Sequence, residues 1–149
     1  MRKISDKGLT KKLDDTWSLL VRFRAGDKCE VCGSKSIQAH HIISRGNWRL
    51  RWEVRNGVAL CEKHHKFDRH MSAHLNPLWF NEWLEENHKK EIDWLRERQY
   101  LTYSWKRFEK LDLLEELKLL YASGDKEKIS NFEILFENGY YKPRKEIKR

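Results

Sequence analysis

Two pairs of metal-binding side chains, Cys29-x-x-Cys32 and Cys61-x-x-His64, stand 28 residues apart in the chain. Thiolate and imidazole are the ligands that tetrahedral Zn²⁺ takes, and four of them close its coordination sphere. A closed sphere has no place for water, so a zinc ion held by Cys29, Cys32, Cys61 and His64 is expected to be structural. The competing reading of Cys29 and Cys32 as a redox pair calls for a surrounding βαβ pattern of the thioredoxin kind, which the sequence lacks. Between the pairs lie His40 and His41, and His65 follows the last of them directly. Imidazoles titrate near neutrality and bind divalent ions, so these three could do acid–base or metal chemistry. Taken alone, adjacent histidines on a strand need mean only that one faces inward and one outward.

The ordered set is more specific than its parts. Ala39-His40-His41-Ile42-Ile43 is followed by Asn56-Gly57-Val58-Ala59-Leu60-Cys61-Glu62-Lys63-His64-His65. From about Cys29 to His70 the sequence resembles the HNH, or ββα-metal, nucleases of the zinc-stapled subtype. That resemblance implies hydrolysis of DNA phosphodiester bonds by nicking, leaving a 3′ hydroxyl and a 5′ phosphate. It makes His41 the general base, oriented by a backbone carbonyl across the hairpin. By the same correspondence His40 and His65 would bind a catalytic divalent ion, while Asn56 would tie the loop by hydrogen bonds. Many relatives carry Asp where His40 stands, and imidazole in place of carboxylate moves preference from Mg²⁺ toward Mn²⁺, Co²⁺, Ni²⁺ or Zn²⁺. His70 and His74, just beyond, are expected on the surface, with substitute ligation as the alternative.

Between the two strands runs Ser44-Arg45-Gly46-Asn47-Trp48-Arg49-Leu50-Arg51-Trp52-Glu53-Val54-Arg55. Arg45, Arg49, Arg51 and Arg55 could clamp phosphates, Arg45 first among them because it lies nearest the histidines. Trp48 and Trp52 are expected as core anchors of a short hairpin. The whole chain of 149 residues carries 31 Lys and Arg against 23 Asp and Glu, a formal charge of +8, which favours a polyanionic partner.

These residues need a frame. Leu9, Leu13, Trp17, Leu20 and Val21 recur at helical spacing and predict a helix over about 8–25, ended near Gly26. Short strands are expected over Gln38 to Ile43 and Val58 to Leu60, then a short helix from Cys61 to His70. Asn76-Pro77 reads as the N-cap and first position of a helix carrying Trp79, Phe80, Trp83 and Leu84. Trp105, Phe108, Leu111, Leu114 and Leu117 predict a long helix stopped by Gly124. Ile129, Phe132, Leu135 and Phe136 predict one more, ended at Gly139. The fold class is therefore α+β, mostly helical. Residues 1–75 form an N-terminal helix and a zinc-stapled ββα core, and residues 76–149 a helical extension with a basic tail from Lys142 to Arg149.

No run of 18 apolar residues and no leader is visible, so a cytoplasmic protein without membrane association is expected. Ile43-Ser44-Arg45-Gly46 is similar to phage recombination and homing enzymes of the same family, implying a phage or bacterial setting. Monomer or dimer is not determined. Two alternatives stand beside the DNA nuclease: a zinc-ribbon module that binds DNA without cutting it, and an RNA-directed nuclease on the same core.

Overall fold

The computed structural model describes residues 2–144, so the last five positions of the basic tail lie outside the described residues. The fold is α+β and about half helical, with two small antiparallel sheets. Helix α1 spans Asp6–Arg24, capped by the Ser5 hydroxyl, which accepts from Gly8 N at 3.0 Å. Strands β1 (Ile37–His41) and β2 (Gly57–Cys61) pair with His41 opposite Gly57 and His40 opposite Val58. A π-helical turn, Lys63–Phe67, follows β2 where an α-helical start is expected from sequence. Then come α2 (Pro77–Asn87), α3 (Lys89–Arg98), α4 (Arg107–Ala122), α5 (Lys126–Ser130), and the two-residue strands β3 (Phe136–Glu137) and β4 (Tyr140–Tyr141).

Period-two alternation gives the β1–β2 hairpin two unlike faces. Ala39, His41, Gly57 and Ala59 face α1, and Gln38, His40, Val58 and Leu60 face the other way. Small residues on the first face let α1 come close. A Cβ placed on Gly57 would lie 2.4 Å from Val21 Cγ2 and 2.7 Å from Trp17 Cζ2, so glycine is required there by steric approach. Leu9, Leu13, Trp17, Leu20 and Val21 of α1 then pack on Leu113, Leu114, Leu117 and Leu120 of α4, with Trp52, Val54 and Phe132 completing the cluster. Val58 and Leu60 meet Phe80, Leu84 and Ile92 in a second cluster that docks α2 and α3 on the opposite face. The hairpin is thus sandwiched, and Arg24 clips it to α1 by donating to the carbonyls of Val54 and Gly57.

Three expectations are corrected. The helix expected through Phe132, Leu135 and Phe136 ends at Ser130, and Phe136 sits instead in a hairpin. Its turn is Asn138-Gly139, both at positive φ (52° and 81°), the pairing that a tight type I′ turn demands. On α4, Phe108 and Leu111 are exposed, because residues repeating at strict i+3 spacing precess by about 60° per step around a helix and cannot stay on one face. Helix α3 has no counterpart among the elements the sequence predicts; only Ile92 and Leu95 are buried on it, too few for a periodic signal.

At the base of the loop, Glu53 is fully buried, paired with Arg49 at 3.2 Å and accepting from Ile134 N at 3.2 Å. Burial pushes its carboxyl from the ordinary 4.5 up to about 7, with Arg49 and the Ile134 amide opposing. Because the folded protein then holds a proton that the unfolded chain has released, stability falls as pH rises from about 4.5 to about 7. Urea unfolding of wild type and Glu53→Gln across that range should show wild type losing up to about 3 kcal/mol relative to the variant. A constant difference between the two would contradict the shift.

Candidate metal centres and catalytic histidine

The Cys29–Cys32 turn, the end of β2 and the π-helical turn assemble one metal-ligating group, and β1, the same π-helical turn and the loop after it assemble a second. In the first, Cys32 Sγ lies 3.7 Å from Cys61 Sγ, and His64 Nδ1 lies 3.2 Å from Cys61 Sγ and 3.9 Å from Cys29 Sγ. Tetrahedral bonds of about 2.3 Å to sulfur and 2.0–2.1 Å to nitrogen separate two sulfurs by about 3.8 Å and sulfur from nitrogen by about 3.6 Å. The four residues therefore could hold a metal ion such as zinc. The turn that shapes the first pair is closed by Gly33, whose φ is 77° and whose N–H donates to Cys29 O at 2.8 Å. Glu30, between the cysteines, ties this turn to β2, donating through its N–H to Ala59 O and accepting from Ala59 N at 2.7 Å.

The second group is His40, His65 and His74, whose ligand atoms lie within 4.8 Å of one another. His40 comes from β1 and His65 from the π-helical turn. His74 comes from the following loop, drawn in because Ala73 N donates to His64 O at 2.9 Å and His74 N to His65 O at 3.1 Å. His74 is exposed, as expected, and the backbone sets its ring within ligand distance of the other two. Gln38, two residues before His40 and on the same strand face, accepts through Oε1 from His65 Nδ1 at 2.8 Å. That bond leaves Nε2 of His65 free as a ligand. Burial first, then the neighbouring imidazoles, lowers His40 to about 3; burial, His74 and Lys66 lower His65 to about 4. Both rings are neutral at physiological pH, the form that binds a cation.

His41 points to the other face of β1. Its ring stacks on Trp17 of α1 with centroids 3.8 Å apart and planes at 9°. Its Nε2 lies 2.9 Å from Arg51 O, the backbone carbonyl across the hairpin. Donation there leaves the lone pair on Nδ1. Burial lowers the His41 pKa below the ordinary imidazole value, opposed by the Arg51 carbonyl and by Asp14. Asp14 on α1 accepts from Arg51 through both carboxylate oxygens, at 2.9 and 2.7 Å, and from Trp52 Nε1 at 2.9 Å, fixing the residue whose carbonyl holds His41. Neither Trp17 nor Asp14 could be singled out from sequence, since both read as ordinary positions on an amphipathic helix.

Asn56 is fully buried and bridges the loop ends: Oδ1 accepts from Ile43 N at 2.7 Å, and Nδ2 donates to Ile43 O and Leu50 O. The loop arginines separate. Arg49 is buried against Glu53 and stacks over Phe136; Arg51 is held by Asp14 and lies over Trp48. Arg55 packs over Trp94 and donates to Asn131 O. Arg45 keeps an exposed side chain beside the histidines. Trp52 is a core anchor, while Trp48 is 39% exposed.

Residues 29–73 match the family model described as HNH endonuclease. No curated protein and no solved structure matches the chain. This segment, with its two strands, π-helical turn and the histidines His40, His41 and His65, is similar to the HNH endonucleases, a family that acts on nucleic acid. Helix α1 and helices α2 to α5 lie outside the match. Among the described residues no helix is long and apolar enough to cross a membrane.

Proposed function

We propose that the protein is a metal-dependent DNA endonuclease that nicks one strand, leaving a 3′ hydroxyl and a 5′ phosphate, with His41 as general base. The observation carrying this reading is that three imidazoles, His40, His65 and His74, lie within ligand distance of one another, next to a carbonyl-held His41.

Because alternation sends His40 and His41 to opposite faces, one phosphate can meet both only if it lies across the end of β1, where the strand stops at His41. There His41 Nδ1 takes the proton of the attacking water, and the Arg51 carbonyl stabilises the imidazolium that forms. Trp17 keeps the ring from swinging. His40, His65 and His74 would hold a divalent ion, which would supply positive charge near the phosphate and the departing 3′ oxygen. Three imidazoles favour Mn²⁺, Co²⁺, Ni²⁺ or Zn²⁺ over Mg²⁺. Arg45 is the loop arginine placed to contact a flanking phosphate, since Arg49 and Arg51 are held by carboxylates.

Incubating supercoiled plasmid with the purified protein and Mg²⁺, Mn²⁺, Co²⁺, Ni²⁺ or EDTA tests the proposal. Relaxed circles should form with added divalent ion and not with EDTA, fastest with a transition metal. Single-stranded RNA run in parallel distinguishes the RNA-directed alternative. DNA binding without cutting under any ion would favour the zinc-ribbon module instead.

A further inference from the structure

Four large apolar side chains stand in solvent within twelve positions of one another: Phe67 (64% exposed), Met71 (42%), Leu75 (54%) and Leu78 (77%). Two of them follow members of the second histidine group in sequence, Phe67 lying two residues after His65 and Leu75 one residue after His74. The bond from His74 N to His65 O ties the two backbone segments together two residues before Phe67 and one residue before Leu75. The loop between them is firmly tied. Asp68 Oδ1 accepts from His70 N and Met71 N at 2.8 and 2.7 Å, Ser72 Oγ accepts from Leu75 N at 3.1 Å, and Asn76 Nδ2 donates to His70 O at 3.0 Å.

Exposed apolar groups on so fixed a loop are kept for a partner. The surroundings identify its charge: Lys63, Lys66 and Arg69 are exposed among them, in a chain of net charge +8. A protein core would shun that basic rim, whereas the apolar interior of stacked bases lined by phosphates matches both features. We propose that Phe67 and Leu75, with Met71 and Leu78, form a wedge that enters between base pairs of the substrate and opens a base step beside the scissile phosphate. The proposal takes its substrate from the nuclease reading above. It makes the preferred substrate a deformable or already distorted duplex, such as one with a pyrimidine–purine step or a bulge at the cut.

A site-independent experiment follows from the unwinding that any such insertion causes. A nicked plasmid is sealed by ligase in the presence of the His41→Ala protein, then stripped of protein and its topoisomers are resolved. Insertion should shift the distribution, and adding Phe67→Ala and Leu75→Ala should abolish the shift at equal amounts of bound DNA. Both residues are exposed, so the substitutions leave the core intact. In the wild-type background the same pair should slow nicking of intact duplex about tenfold while sparing a duplex bulged at the cut. No topoisomer shift with His41→Ala overturns the wedge whether or not the wild type nicks. A change from dimer to monomer on substitution would overturn it too, by assigning the patch to self-association. Failure of wild-type nicking under every metal ion would strike at the nuclease reading alone.

Discussion

Replacing His41 with Ala should lower the rate of plasmid nicking by about 10²–10⁴-fold while leaving zinc content and DNA binding unchanged, the range expected for loss of a positioned general base. The geometry separates this effect from unfolding. The partner of His41 is the main-chain carbonyl of Arg51, which survives the substitution and stays fixed by the two bonds from Arg51 to Asp14. Trp17 loses its stacking partner on one face, but the indole keeps its own bond to Glu53 O at 2.7 Å. Truncation at a half-buried position therefore costs on the order of 1 kcal/mol of stability, visible as a small change in urea midpoint. A drop of less than about tenfold in rate, with the fold and metal intact, would remove His41 from the role of base.

What could be read before the fold was known followed the range of the forces involved. The zinc set, the His-His step and the Asn76-Pro77 helix start depend on residue type and short spacing, and each lies in the structure where local rules put it. The third histidine depended on a longer connection. His74 comes to His40 and His65 through backbone bonds between residues 64–65 and 73–74, which no spacing rule encodes. Likewise the four loop arginines look equivalent in sequence, yet Glu53, in the same loop but buried by tertiary packing, claims Arg49, and Asp14, on α1, claims Arg51. The Asn138-Gly139 turn was legible in principle. It was overridden by apolar residues at helical spacing, of which Ile129 and Phe132 do enter the core without a helix to join them.

The zinc staple should matter unequally along the chain. Cys61→Ser removes a buried ligand at the junction of β2 and the π-helical turn, and Cys32→Ser removes an exposed one. Both variants should lose zinc, measured as metal per chain, but the buried change should lower the melting temperature more, on the order of 10 °C or greater. The loss should not spread evenly. Helices α1 and α4 hold one another through Leu13, Leu20, Leu113 and Leu117 without help from the metal. The second cluster contains Cys29 and Cys61 themselves, so its packing of Val58 and Leu60 on Phe80 and Leu84 should depend on metal bound there. Hydrogen exchange on Cys61→Ser should accordingly accelerate in β1, β2 and residues 61–75 while amides of α1 and α4 stay protected. His65 and His74 leave their positions when that segment loosens, so nicking should vanish even with excess added divalent ion. Uniform loss of protection across all helices would mean instead that the two clusters fold as one unit, with the metal holding the whole.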